Sequence, residues 1–209
     1  MNGFGVATSP QARYVLPSFD ERTAYGIKQQ DPYSKLFQDR VIFLGTPLDE
    51  VAANDIIAQL LVLESADSDS DITIYINSPG GTITSLAAVY DTMSYIAPHV
   101  RTVCLGQASS VAAVLLAAGQ QGKRAALPNS RLMLLQPQSD GGPGQASDIE
   151  IQAKESLRTR AWLEGVLAER TKKSLTQVTK DIDREFYLTA EQALAYGLID
   201  EILPSRKRK

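Results

Sequence analysis

Blocks of apolar residues separated by polar turns set out the plan of this chain of 209 residues. Val41-Ile42-Phe43-Leu44 is a short apolar run closed by Gly45 and reads as a buried strand. Val51, Ile56, Ile57, Leu60, Leu61 and Leu63 then recur at helical spacing, and the acidic break from Asp67 to Asp71 ends that helix. Ile72 to Ile76 predicts a second strand, which runs into Asn77-Ser78-Pro79-Gly80-Gly81. Leu86 to Ile96 predicts a helix and Val100 to Leu105 a third strand. Gly106 then opens a small-residue helix containing Ser109, Ser110, Val111 and Ala112, stopped by Gly119. Arg131 to Leu135 reads as a fourth strand, followed by the loose stretch Gln138 to Gly144. Ser147 or Asp148 caps a long polar-faced helix that reaches about Arg170.

Two helix starts carry their own signature. Asp31-Pro32 offers a cap and a first-turn proline for a short helix through Leu36 and Phe37. Thr189-Ala190-Glu191-Gln192 is a capping-box pattern, and Gly197 stops the helix it opens. The repeated alternation of strand and helix predicts an α/β fold in one domain, without a dividing linker, internal repeat or low-complexity block. Residues 1–30, punctuated by Gly3, Gly5, Ser9-Pro10 and Pro17, read as an N-terminal arm ahead of a domain spanning 31–209.

Composition narrows the function. The net charge of −3 argues against a dedicated nucleic-acid binder, and the basic end Arg206-Lys207-Arg208-Lys209 reads as a solvated tail. No run approaches the roughly 18 apolar residues of a membrane helix, and no signal-like segment opens the chain. A single cysteine, Cys104, excludes an internal disulfide framework and fits a reducing, cytoplasmic setting. One histidine, His99, leaves no His-rich or Cys-rich zinc set. It also restricts any Ser-His-Asp triad to a place where that one residue can reach.

Two sharp turns after strands are the candidate chemistry. In Ser78-Pro79-Gly80-Gly81, glycines let the backbone turn abruptly and bring an N–H close to a ligand, although a plain strand–helix turn has the same look. In Gly106-Gln107-Ala108-Ser109-Ser110-Val111-Ala112, a serine at the turn exposes its Oγ beside the helix N-terminal N–H groups. The plainer account is a helix cap, or small residues that permit close packing.

The motifs are recognisable as a set. Tyr75 to Gly81, Gly106 to Ser110, Arg131-Leu132-Met133-Leu134-Leu135-Gln136-Pro137, Gly144 to Ile151 and Thr189 to Asp200 occur in the order found in ClpP, the proteolytic subunit of the ATP-dependent Clp protease. The chain resembles that family from about Pro32 to Leu203. The resemblance implies a ClpP/crotonase-like fold of repeated strand-strand-helix units with a protruding handle helix, here about 138–170. It implies a serine endopeptidase needing no metal and no cofactor. Its subunits form heptameric rings stacked as a tetradecamer, which receive unfolded polypeptide from an AAA+ unfoldase.

Position by position, the resemblance puts the nucleophile on Ser110 and the oxyanion donors on the N–H groups of Gly81 and Val111. Thr82, Ile83, Pro137 and Gln138 fall at substrate-binding positions. Tyr75, Tyr95, Val103, Leu105 and Leu203 fall at the unfoldase-docking pocket. Arg184 resembles an arginine that links the handle to the site, and residues 1–30 an axial gate. The general-base histidine position is occupied by Leu135, and the aspartate that orients it by Glu185.

Leucine has no nitrogen to take a proton, so Ser110 stays a weak nucleophile. Losing a triad member lowers turnover on the order of 10⁴- to 10⁶-fold. His99, about seven residues back along the strand and some 20 Å away, is out of reach. Lys123 and Lys154 are the nearest candidate substitute bases, and exposed lysines are seldom bases. The expectation is a structural or regulatory subunit, joined to an active paralogue, with little or no peptidase activity alone. The alternatives are an active peptidase using Ser110 with a substitute base, and crotonase-type chemistry, against which the Asp148-Ile149-Glu150 handle motif speaks. Without a histidine to hold, the longer carboxylate of Glu185 is tolerated; the plainer account is a local pair with Arg184 or Arg101.

Overall fold

The computed structural model describes residues 18–23, 26–137 and 146–204. It divides into two compact units, one up to Asp39 and one from Arg40 onward. In the first, strands β1 (Phe19–Thr23) and β2 (Gly26–Gln30) pair antiparallel, with Phe19 opposite Gln30. Helix α1 (Pro32–Gln38) follows, its first turn held by Asp31, whose carboxylate accepts from the N–H groups of Tyr33 and Ser34. Glu21 ties the pieces together, accepting from Lys35 at 2.9 Å and from the Gln30 amide at 2.8 Å. The sequence reading has the helix but not the hairpin, whose strands lack apolar alternation. It also places α1 with the main body, whereas the division falls after α1. Of the arm, residues 1–17 lie outside the described residues.

The second unit runs β3 (Val41–Leu44), α2 (Glu50–Ala66), β4 (Ile72–Ser78), α3 (Ile83–Tyr95), β5 (Val100–Ser109), α4 (Val111–Ala118), β6 (Arg124–Ala126), β7 (Arg131–Leu134), α5 (Ala146–Thr171), α6 (Leu175–Asp181), β8 (Phe186–Thr189), α7 (Ala190–Tyr196) and β9 (Glu201–Ile202). Strands β3-β4-β5-β6-β9 form a parallel path. The sheet forks at β5. Its first half pairs with β6 and its last residues, Gln107 to Ser109, pair with β7, which in turn pairs antiparallel with β8. This is the α/β architecture expected of the sequence.

The fork corrects one expectation. Gly106 does not open a helix; β5 continues through it to Ser109, because the β7 ladder supplies hydrogen bonds that outweigh the weak strand preference of small residues. Helix α4 begins only at Val111, and all eight of its residues are buried. The pattern on α2 is also narrower than its apolar spacing. Ala53, Ile56, Leu60 and Leu63 are buried, whereas Val51 and Leu61 are exposed. Strands β6, β8 and β9 and helix α6 are short and went unread in the sequence.

Polar side chains hold the frame. Arg40 gives its guanidinium to the carbonyls of Leu63, Asp67, Ser70 and Asp71, closing the end of α2 and the turn into β4. Arg124 is 4% exposed and donates to both oxygens of Asp200, at 2.9 and 2.6 Å. It also reaches the Arg170 carbonyl at the end of α5. Burial pushes the Asp200 carboxyl up, but hydrogen bonds from Arg124 and the Gly122 N–H outweigh it and hold the group below its usual range. Among the described residues no helix is long and apolar enough to cross a membrane.

Candidate active site

The site grows from two backbone turns beside each other at the carboxyl ends of β4 and β5. At the first, Leu48 N–H donates to Gly80 O at 2.7 Å and Thr82 N–H donates to Leu48 O at 3.1 Å. In this parallel bridge the bonds go to the neighbours of Gly81, so its own N–H and C=O face away from Leu48. A side chain at Gly81 would drive its Cβ into Leu48 O. Gly80 has φ 124°, and a Cβ there would sit 3.1 Å from Ser109 O and 3.3 Å from Ser110 Cβ. The two glycines thus let the first turn lie against the second.

At the second turn, Ser110 has φ 52° and ψ −122°, a rare backbone for a residue with a side chain. Its N–H donates to Met133 O at 2.8 Å, so the last rung of the β5–β7 pairing holds the strained residue in place. Its side chain makes no capping bond to α4. The reading of Ser110 as a helix cap is therefore corrected. Neither the Gly81 N–H nor the Val111 N–H is hydrogen-bonded among the described residues.

Both turns open on one cavity of about 320 Å³, lined among the described residues by Gly81, Thr82, Ile83, Ser110, Val111, Leu135, Gln136, Pro137 and Leu163. The structure so gathers the expected nucleophile, both oxyanion positions, the leucine at the base position and three of the four substrate positions. Gln138 lies outside the described residues. An oxygen bearing developing negative charge could lie between two unpaired N–H groups here. Among the described residues the lining holds no imidazole, amine or carboxylate to take the Ser110 proton.

The other titratable candidates are elsewhere. His99 precedes β5 and Ser110 follows it; ten residues of strand separate them, roughly 30 Å at the usual rise, which lengthens the expected distance. His99 Nδ1 lies 3.2 Å from Lys123 Nζ, and Lys123 is bound to Asp71 at 2.6 Å. Lys154 pairs with Glu150 on the exposed face of α5.

The plainer account of Glu185 does not hold, since it pairs with neither Arg101 nor Arg184. Arg101 binds Glu201 at 2.9 Å, and Arg184 is 92% exposed with Asp183 at 3.9 Å. Instead Tyr187 donates its hydroxyl to Glu185 at 2.7 Å, which pushes the phenol above its usual range. The Arg131 guanidinium lies 4.1 Å from the centre of the Tyr187 ring.

Gln136 also went unread. Its N–H donates to Ile182 O and its amide to Asp183 O at 2.8 Å, while its side-chain oxygen accepts from Arg160. Arg160 is in turn paired with the nearly buried Glu164. This chain of bonds ties α5 to the cavity wall. The signal was a glutamine immediately after the base position, visible in sequence but without a partner to name.

Of the expected docking residues, Tyr75, Val103, Leu105 and Leu203 line a larger cavity of about 810 Å³, together with Arg101, Leu127 and Pro128. Tyr95 does not line it among the described residues; it ends α3 with 81% of its surface exposed. Of the stretch expected as a handle, 138–170, residues 138–145 lie outside the described residues and the rest falls on α5. Ile149, Ile151 and Leu157 are exposed near its start, and Leu163, Val166 and Leu167 are buried near its end.

The Clp protease family model matches residues 24–206. The chain is 61% identical over 199 residues, 95% of its length, to ATP-dependent Clp protease proteolytic subunit 1 of Tropheryma whipplei (strain Twist), of which 96% is covered. It is 57% identical over 206 residues to a proteolytic subunit 1 from Thermobifida fusca, covering 98% of this chain and 93% of that one. A proteolytic subunit 1 from Corynebacterium diphtheriae is 60% identical over 207 residues, with 99% of each covered.

Proposed function

Because the chain belongs to the Clp protease family, we propose that it is a ClpP-like subunit with little or no peptidase activity alone. It serves a structural or regulatory role in a cytoplasmic tetradecameric chamber. The observation that carries this reading is Leu135 in the wall of the Ser110 cavity, with no imidazole, amine or carboxylate in the described lining. The serine, the oxyanion groups and the apolar pocket around Tyr75 support a chain that still assembles, still admits extended polypeptide and still docks an AAA+ unfoldase. Catalysis in the particle comes from an active paralogue that keeps histidine and aspartate at the positions of Leu135 and Glu185. A substitute base is disfavoured, since Lys123 and Lys154 are engaged with carboxylates and neither lines the cavity.

The test is to co-express the chain with such a paralogue from the same genome and measure particle mass and peptide hydrolysis. A mixed tetradecamer is expected, its activity unchanged by Ser110→Ala in this chain and abolished by removing the partner's serine. Failure to co-assemble, with Ser110-dependent hydrolysis by this chain alone, would contradict the reading.

A further inference from the structure

Strands β7 and β8 bring the two altered positions to the same end of one antiparallel pair. Their register pairs Met133 with Tyr187 and Leu134 with Phe186. Leu135 and Glu185 are the residues next beyond the last of these pairs. Side chains alternate along a strand, so Arg131, Met133 and Leu135 share one face with Tyr187 and Glu185. The buried Leu132, Leu134 and Leu188 take the other. Directly opposed positions have Cβ atoms about 4.5–5.5 Å apart; at such a spacing a carboxylate at 185 could orient an imidazole at 135. The carboxylate is turned along its own strand instead. Glu185 Oε2 accepts from Tyr187 Oη at 2.7 Å, and the Arg131 guanidinium packs on the Tyr187 ring at 4.1 Å.

We infer that Tyr187, steadied by Arg131, is a positioning residue that holds the Glu185 carboxylate away from position 135, so that a base restored there stays poorly oriented while the Tyr187 hydroxyl remains. The inference rests on the reading that the Ser110 site lacks its base. A hydrogen bond to an ionised carboxylate is among the stronger kinds. Glu185 also keeps the phenol protonated and able to donate. A new imidazole must compete with that donor for the same oxygens. Arg184 and Asp183, the neighbouring charges on this segment, are exposed and make no bond to Glu185.

The test compares full-length Leu135→His with Leu135→His/Tyr187→Phe, each beside its Ser110→Ala control. It reads kcat and KM on a fluorogenic peptide, the pH–rate profile and labelling of Ser110 by a fluorophosphonate. Leu135→His is expected to give weak, Ser110-dependent turnover. Adding Tyr187→Phe is expected to raise kcat about tenfold or more, since an orienting carboxylate has large effects on a histidine base. KM should stay within about twofold, because no substrate contact changes. The acid limb of the profile should move upward as the freed carboxylate stabilises the imidazolium.

Tyr187 is half exposed and phenylalanine keeps its ring, so equal melting temperatures are expected. Arg131→Met in the Leu135→His background provides a second variant with a smaller effect in the same direction. Leu135→His turnover left unchanged by both Tyr187→Phe and Arg131→Met, in kcat and in pH profile, would overturn the positioning role and leave the missing-base reading standing. No Ser110 labelling above the parent chain in any His-bearing variant would overturn both.

Discussion

The turn at Ser110 and the pair Leu135–Glu185, joined in one site by the proposed reading, are built from different materials. The turn is backbone. Its φ of 52° is held by the bond from Ser110 N–H to Met133 O, and its companion turn by the bonds between Leu48 and the residues flanking Gly81. Those same bonds close the sheet, so the turn cannot be lost without disturbing the frame. The pair is side chain. Leu135 is half buried, Glu185 is exposed, and neither donates to or accepts from the frame through its side chain beyond the local Tyr187 contact. Chemistry resting on backbone geometry persists with the fold, whereas chemistry resting on two replaceable side chains can disappear at little cost in stability. On the proposed reading, a site that keeps its shape and lacks its base is the expected product.

The sharpest way to break this contrast is Gly81→Val. Its Cβ would enter Leu48 O, and the expected loss is roughly 5 kcal/mol or more, read by denaturant melts and soluble yield. A variant melting near the parent would show that the turn is not locked to the frame. Next is Asp200→Asn. It leaves the buried Arg124 without its counter-charge, at about 3–5 kcal/mol. The same pair sets an acid limit. The Asp200 carboxyl lies below its unfolded value of about 3.9, so its contribution is complete above that pH. It is lost as the pH falls through the lower folded value. In Asp200→Asn, stability between neutral pH and pH 3 should fall less steeply than in the parent.

On the side-chain half, Leu135→His with Glu185→Asp should raise Ser110-dependent peptide hydrolysis on the order of 10²-fold or more, with a small change in melting temperature. No gain would contradict a site that keeps its shape and lacks only its base. The smallest effect is expected of Lys123→Met and Lys154→Met. Each should change stability by about 1 kcal/mol or less and leave peptide hydrolysis where it was. A drop in hydrolysis would identify a substitute base.

Much of the frame was legible where a local rule decides the structure. Asp31 caps α1, and Thr189 and Gln192 form the reciprocal cap of α7, because those side chains satisfy orphan N–H groups within their own turn. Gly197 stops α7 at φ 94° for an equally local reason. What escaped depends on partners distant in sequence. The run Gly106 to Ser109 is strand only because β7 arrives beside it. The three-residue β6 exists because β5 and β9 flank it. The β1–β2 hairpin carries mostly polar residues and offers no apolar period to read. At the site, the identities of Ser110, Gly81 and Leu135 were visible in the ordered motifs. The bond from Tyr187 to Glu185 was not, since it follows from a strand register that places residues 185 and 187 on one face.

The most direct test of the central claim is hydrolysis of a small fluorogenic peptide by the purified chain, beside its Ser110→Ala variant and without any paralogue. A small peptide needs no unfoldase, so the assay reads the chemistry of the site itself. The missing base predicts equal rates for the two proteins, at the level of the blank. Turnover by the parent chain that Ser110→Ala abolishes would contradict it and require a proton acceptor other than residue 135.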